Sequence, residues 1–217
     1  MRYEVRVIGS AGQGSILAAV VLATAAAEEG LWATQTATYG AAMRSGVSLG
    51  DVVISDEPID FPKTTELDAV IIQSQEAYDD MIKGKPVRLD PECSESDADV
   101  LVNVKPGALV IVDEDLVQCD LDCNMYRIVS APIARTAAEG LGRRQVMNIV
   151  ALGVFQVATT LQFDGKPLIS EESFLKAIEK SVPKRFIDLN KTAFQEGVKI
   201  GKAAPVSYTH LTLPTKA

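Results

Sequence analysis

Histidine is almost absent from this chain. The single one, His210, stands near the C-terminus. The body of the protein therefore has no material for a Ser-His-Asp or Cys-His mechanism, or for a histidine metal site. Cysteine is nearly as scarce. Cys93, Cys119 and Cys123 form no CxxC pair. An iron–sulfur cluster is held by a fuller set of thiolates than that, so this chain is not expected to carry one, and its cysteines read as reduced cytosolic thiols. Positive charge is also short. Lys and Arg number 21 against 29 Asp and Glu, a net charge of -8, which argues against nucleic-acid backbones and anionic membranes as partners. No apolar run reads as a membrane segment. Arg2, Arg6 and the stretch Ile16 to Ala27 have the outline of an export signal, but Glu4 interrupts the basic part and Val5 to Ile8 reads as a strand. The uncharged run Gln145 to Phe163 carries Gln145, Asn148, Gln156 and Thr159 near one helical face, so it reads as an amphipathic core helix.

What is present begins with VRVIGSAGQGSILAAVVLATAAA, Val5 to Ala27. Val5, Val7 and Ile8 suit a central strand. Gly9, Gly12 and Gly14 permit a tight turn, and Ser15 to Ala27 is an uncharged helix fit to pack on a sheet. The N–H groups opening such a helix can hold an anion, typically a phosphate. Glycines that serve strand-to-helix packing alone are the equal alternative. The dinucleotide fingerprint G-x-G-x-x-G falls on Gly9, Ala11 and Gly14, so its middle glycine is missing. The second strand, Leu31 to Thr36, runs into Ala37 and Thr38 without a carboxylate for a ribose, and NAD is not expected.

A hydrophobic share of 47% over 217 residues is enough for one well-buried domain. Further strands are read at Ser48 to Ser55, Asp68 to Gln73, Ala108 to Val112 and Met125 to Val129. Helices are read at Gln75 to Lys83, Pro132 to Glu139 and Arg143 to Leu161. Another follows the N-cap candidate Ser170 and ends at Pro183, and a last one buries Phe186, Leu189, Ala193 and Gly197. The alternation predicts an α/β, Rossmann-like fold: a mostly parallel sheet with helices on both faces and C-terminal helices packed on it. The domain is expected to span residues 1–203. Residues 84–104 form an acidic insertion, and residues 204–217, with His210, read as vector-derived read-through and are set aside. Strands of such a sheet bring ligands to their carboxyl ends, so the Gly9 loop and the Tyr39–Gly46 loop should rim one edge. Arg44 in the second loop is either an anion clamp or a solvated arginine.

The blocks GSAGQGSILAA, TQTATYGAAMRSG, DVVISDEPIDFP, SQEAYDDM, KPGALVIVDEDLV and MNIVALG occur in this order. Together they resemble the gamma subunit of 2-oxoacid:ferredoxin oxidoreductases, nearest to the 2-oxoglutarate type, over roughly residues 3–202 apart from the acidic insertion. The family's first loop reads G-x-G-G-Q-G; Gly9, Gly12, Gln13 and Gly14 match and Ala11 departs. Its second reads Y-G-P-E-A-R-G-G; Tyr39, Gly40, Arg44 and Gly46 match, while Ala41, Ala42, Met43 and Ser45 depart.

The resemblance implies a cytoplasmic, non-redox subunit that works beside alpha, beta and ferredoxin-like delta subunits. Such complexes decarboxylate a 2-oxoacid on thiamine diphosphate, pass electrons through iron–sulfur clusters to ferredoxin, and hand the acyl group to coenzyme A. Thiamine diphosphate and the clusters would belong to the partners. This chain would supply scaffolding, no catalytic residue and no metal ligand. A contact to coenzyme A would run through the eight matching positions of the two loops. A small subunit of an indolepyruvate:ferredoxin oxidoreductase is the sister reading. A free-standing NAD-dependent dehydrogenase and a subunit with no ligand at all are the others.

Overall fold

The computed structural model describes residues 1–39, 46–82 and 103–207. The opening strand β1 (Arg2–Ser10) sends Tyr3, Val5 and Val7 to one face of the sheet and Ile8 to the other, all of them buried. Then come α1 (Ser15–Glu28), β2 (Trp32–Tyr39), β3 (Val47–Ser55), β4 (Glu66–Ile72), α2 (Gln75–Ile82), β5 (Asn103–Asp113) and β6 (Arg127–Ala131). The C-terminal part adds the short α3 (Ile133–Arg135), α4 (Met147–Ala158), α5 (Glu171–Ser181), α6 (Ile187–Ala203) and β7 (Val206–Ser207).

These strands form one sheet in the order β2-β3-β1-β4-β5-β6-β7. The pairs β1–β4, β4–β5 and β5–β6 are parallel. The pairs β2–β3, β1–β3 and β6–β7 are antiparallel. In direction, therefore, β1, β2, β4, β5 and β6 run one way and only β3 and β7 run the other. The chain leaves β1 through α1 toward the β2–β3 side, and leaves β4 through α2 toward the β5 side. Between β1 and β4 the winding reverses, which is where an open α/β sheet forms its crevice.

Helices cover both faces unequally. One face packs Val5, Val52, Ile71, Leu109 and Val129 under α1, α4, α5 and α6. The other packs Ile8, Leu49, Val70 and Val110 under Ala77 and Tyr78 of α2 and Val117 of the following segment. Arg6 and Asp51 form a two-pronged pair on this face at 2.7 and 2.8 Å, and the Thr64 hydroxyl donates to the same carboxylate at 2.9 Å. Arg2 donates to the buried carboxylate of Glu4. Both arginines of the opening segment are thus committed to ion pairs within the sheet.

The structure departs from the sequence expectations at several elements. The Gln145–Phe163 run has no solvent-facing polar stripe, because α4 is enclosed nearly all round. Asn148, Gln156 and Thr159 are buried, and each finds an internal hydrogen-bond partner. The helix read over Pro132 to Glu139 is present, but it starts as the short α3 and widens to π-helical geometry over Thr136–Gly140. Phe186 is 39% exposed rather than buried, because α6 starts one residue later and turns Asn190, Ala193, Phe194, Gly197 and Val198 inward. The strand read at Met125 to Val129 lies at Arg127–Ala131, and Asn103 and Val104, assigned to the acidic insertion, open β5. The rest of that insertion lies outside the described residues, as does residue 208 onward. Val206 and Ser207, at the start of the segment set aside as a tail, pair with Val129 and Ile128 as β7.

Candidate functional site

The crevice between β1 and β4 is floored by the turn from Gly9 to Gly14. Gln13 shapes it. Its backbone N–H donates to the Ser10 carbonyl at 3.1 Å, and its side-chain Oε1 accepts from the Ser10 N–H at 2.7 Å. Its Nε2 crosses to β4's end and donates to the Gln73 carbonyl at 3.0 Å. Gln73 is 1% exposed, and its Oε1 accepts from the fully buried Ser15 hydroxyl at 3.0 Å. One amide pair thus ties the loop, the first residue of α1 and the neighbouring strand together. Gly9 is glycine because those two glutamines fill its side-chain space: a Cβ there would lie 2.5 Å from Gln13 Oε1 and 2.9 Å from Gln73 Cβ.

Gly14 caps α1 at φ 79°, a left-handed conformation. A Cβ on it would also meet Asn148 Nδ2 at 2.6 Å, the group that donates to the Gly14 carbonyl at 3.0 Å from α4. No side chain caps α1. The contrast with α2 is informative. That helix starts at the same edge, and the Ser74 hydroxyl accepts from the Ala77 N–H to close it. Among the described residues no atom lies within 4 Å of a would-be Cβ on Gly12, so these leave the loop open on its outer side. The first-turn N–H groups of α1 therefore face a space that can take an anion. Among the described residues the buried Nε2 of Gln73 has no hydrogen-bond partner. At the rim, Glu76 from α2 accepts a long hydrogen bond from the Ser10 hydroxyl at 3.4 Å.

The second loop meets the first directly. The Ala11 N–H donates to the Gly46 carbonyl at 2.7 Å, so Gly46 sits against the glycine turn. Tyr39 ends β2 opposite Ser48, at the same edge of the sheet. Of the eight positions singled out in the sequence, Gly9, Gly12, Gln13, Gly14 and Gly46 are brought together, and Tyr39 lies at the edge they share. Gly40 and Arg44 lie outside the described residues. Sequence reasoning missed Ser15, Gln73, Glu76 and Asn148. Gln73 had a readable signal, a polar residue closing an otherwise apolar buried strand.

An α/β sheet with an uncapped helix at its switch point defines a Rossmann-like domain, and comparison with known proteins specifies which kind. The Pyruvate ferredoxin/flavodoxin oxidoreductase family matches residues 4–200, and the chain belongs to that family. It is 41% identical over 207 residues to a 2-oxoglutarate synthase subunit KorC of Methanocaldococcus jannaschii, covering 93% of this chain and 95% of the relative. The gamma subunit of a keto/oxoacid ferredoxin oxidoreductase from Geobacter sulfurreducens PCA superposes with a TM-score of 0.71 at 36% identity, covering 94% of this chain and 98% of that one. A 2-oxoglutarate:ferredoxin oxidoreductase from Magnetococcus marinus, solved with 2-oxoglutarate, coenzyme A and succinyl-CoA bound, shares the fold at a TM-score of 0.69 and 22% identity. There the match covers 93% of this chain but 31% of a longer one. Among the described residues, no helix is long and apolar enough to cross a membrane.

Proposed function

We propose that this chain is the gamma-type subunit of a multi-subunit 2-oxoacid:ferredoxin oxidoreductase acting on 2-oxoglutarate or a similar 2-oxoacid. In this reading it is a cytoplasmic scaffold that contributes a phosphate-binding edge for coenzyme A. Alpha, beta and ferredoxin-like subunits carry the thiamine diphosphate and the iron–sulfur clusters. The observation that carries the ligand part is the uncapped start of α1, held open by Gln13 and Gln73 and bordered by Gly46.

The residues present fit a phosphate-bearing group. The turn from Gly12 to Gly14, exposed at Gly12, stands at the positive end of a 14-residue helix. The space above Gly12 admits the ligand, and Arg44, five residues after Tyr39 in the adjoining loop, would add charge. Coenzyme A, when bound, supplies the thiol that takes up the acyl group. This chain's own part is to hold the nucleotide end and to orient it toward the partners' reactive groups. Nothing here transfers an electron or a proton. The end of β2, Thr36 to Tyr39, has no carboxylate to receive a ribose, which weighs against the dehydrogenase reading.

Coenzyme A affinity of the assembled complex tests the proposal. Gly12→Asp places a carboxylate in the anion space, and Arg44→Ala removes the cation. Each should weaken binding about tenfold or more, roughly 1.4 kcal/mol. Unchanged affinity in both variants overturns the ligand role.

A further inference from the structure

The edge of the sheet opposite the crevice carries a second feature. A surface concavity of about 500 Å³ is lined by Arg2, Ser55, Glu57, Pro58, Ile59 and Phe61, among others. Phe61 in its wall is 52% exposed. Trp32, the only tryptophan of the chain, is 55% exposed and stands beside it. The ladder fixes that placement: Ser55 pairs with Trp32 on one side and with Arg2 on the other, so the three side chains form a row on one face. A solvent-exposed tryptophan and phenylalanine around one concavity are the residues that anchor protein interfaces, whereas isolated exposed apolar residues are ordinary.

The charge of the rim defines the partner. The segment from Asp56 to Glu66 carries Asp56, Glu57, Asp60 and Glu66 against Lys63, and Asp56 is paired with the N-terminal ammonium of Met1, which leaves Glu57, Asp60 and Glu66 to set the sign of the rim. Among the described residues Glu57 and Asp60 make no ion pair. Arg2 brings no free positive charge, because its guanidinium is spent on the Glu4 carboxylate and on the carbonyls of Phe61 and Lys63 at 3.1 and 2.9 Å. Next to this patch β2 is the last strand of the sheet among the described residues, and from Trp32 to Tyr39 it has no charged residue or proline to discourage a neighbour. A second copy of this chain, with its net charge of -8, would bring like charge to the same place.

We propose that this acidic, aromatic edge docks an arginine-bearing segment of a companion subunit. Guanidinium groups stack on Trp32 and Phe61 and pair with Glu57 and Asp60. Arginine suits the site better than lysine because its planar cation satisfies an aromatic face and a carboxylate together. The inference rests on the chain working within a complex, and it extends the proposed function to a named surface.

The test is footprinting of the intact complex against the isolated chain, with zero-length carboxylate–amine cross-linking in parallel. Trp32 and Phe61 should be protected from side-chain labelling only in the complex, and Glu57 or Asp60 should cross-link to a basic stretch of a companion subunit. Trp32→Ala should weaken assembly about thirtyfold, the scale of a hot-spot aromatic. Glu57→Lys with Asp60→Lys should do the same, with rescue by charge reversal in the cross-linked stretch. Full labelling of Trp32 within a formed complex overturns the proposal, as does protection by a second copy of this chain or by an acidic or neutral segment. If no complex forms with the unmodified chain, the proposed function itself falls, which is a different result.

Discussion

Glu29 fastens two helices through one carboxylate oxygen. Its Oε2 accepts from the N–H and the hydroxyl of Ser170 at 3.0 and 2.7 Å, and that hydroxyl in turn caps α5 by accepting from the Ser173 N–H. Partial burial pushes the Glu29 pKa up, but the hydrogen bonds from Ser173 and Ser170 and the nearby Lys176 outweigh it and hold it below the ordinary value of 4.5. A carboxylate depressed in the folded state stabilises the fold above its unfolded pKa, and that contribution disappears as pH falls through the folded value. Stability followed by urea midpoints from neutral into acid should therefore drop more steeply below pH 4.5 in the unmodified chain than in Glu29→Gln. Parallel acid limbs would show that the carboxylate carries no linkage. At this scale the site was half legible. Gly9 and Gly14 announce themselves because only glycine fits their places, and Gln13 because it stands in the loop pattern that the resemblance supplies. Gln73 is visible as a polar end to an apolar strand, but its role and that of Asn148 are not, because each acts across more than fifty residues of sequence through a contact that only the folded sheet creates.

Elements were more legible than their boundaries. The strand–loop–helix unit at the start was readable because β-branched residues, glycines and an uncharged helix follow one another without conflict. The reading of α4 as amphipathic failed for a packing reason. Its polar residues fall on one face, but that face meets the glycine loop and α5's approach rather than water. The contact that places α4 is with α6, where Gly153 and Gly197 let the backbones touch. A Cβ on Gly153 would lie 2.2 Å from the Phe194 carbonyl, and one on Gly197 2.1 Å from that of Val150. Because backbone cannot yield as a side chain tip can, Gly153→Ala should cost about 3 kcal/mol, the upper end of overpacking penalties. Urea unfolding at constant m measures this. A loss below about 1 kcal/mol would mean the helices separate freely and that Asn148 is not held to Gly14 by their packing.

On the scale of the whole molecule, the sheet separates two tasks. Its carboxyl edge presents Gly12 and Gly46, and its opposite edge presents Trp32 and Phe61. The lengths of β1, β2 and β3 lie between them, so a change at one edge reaches the other only through a buried core, which resists deformation. The sequence pattern made the first edge visible, since strand ends followed by glycine loops mark it. The second edge stayed hidden, because Trp32 and Phe61 look like core residues until the folded structure shows both exposed. The arrangement predicts a double dissociation. Gly12→Asp should assemble normally yet lose coenzyme A affinity. The pair Glu57→Lys and Asp60→Lys should fail to assemble at moderate salt, and whatever complex is recovered at high protein concentration should bind coenzyme A with ordinary affinity. Sedimentation and ligand titration on the same preparations read both. If either variant moves both properties together, the two edges are coupled through the sheet, and the division of tasks argued from its topology is wrong.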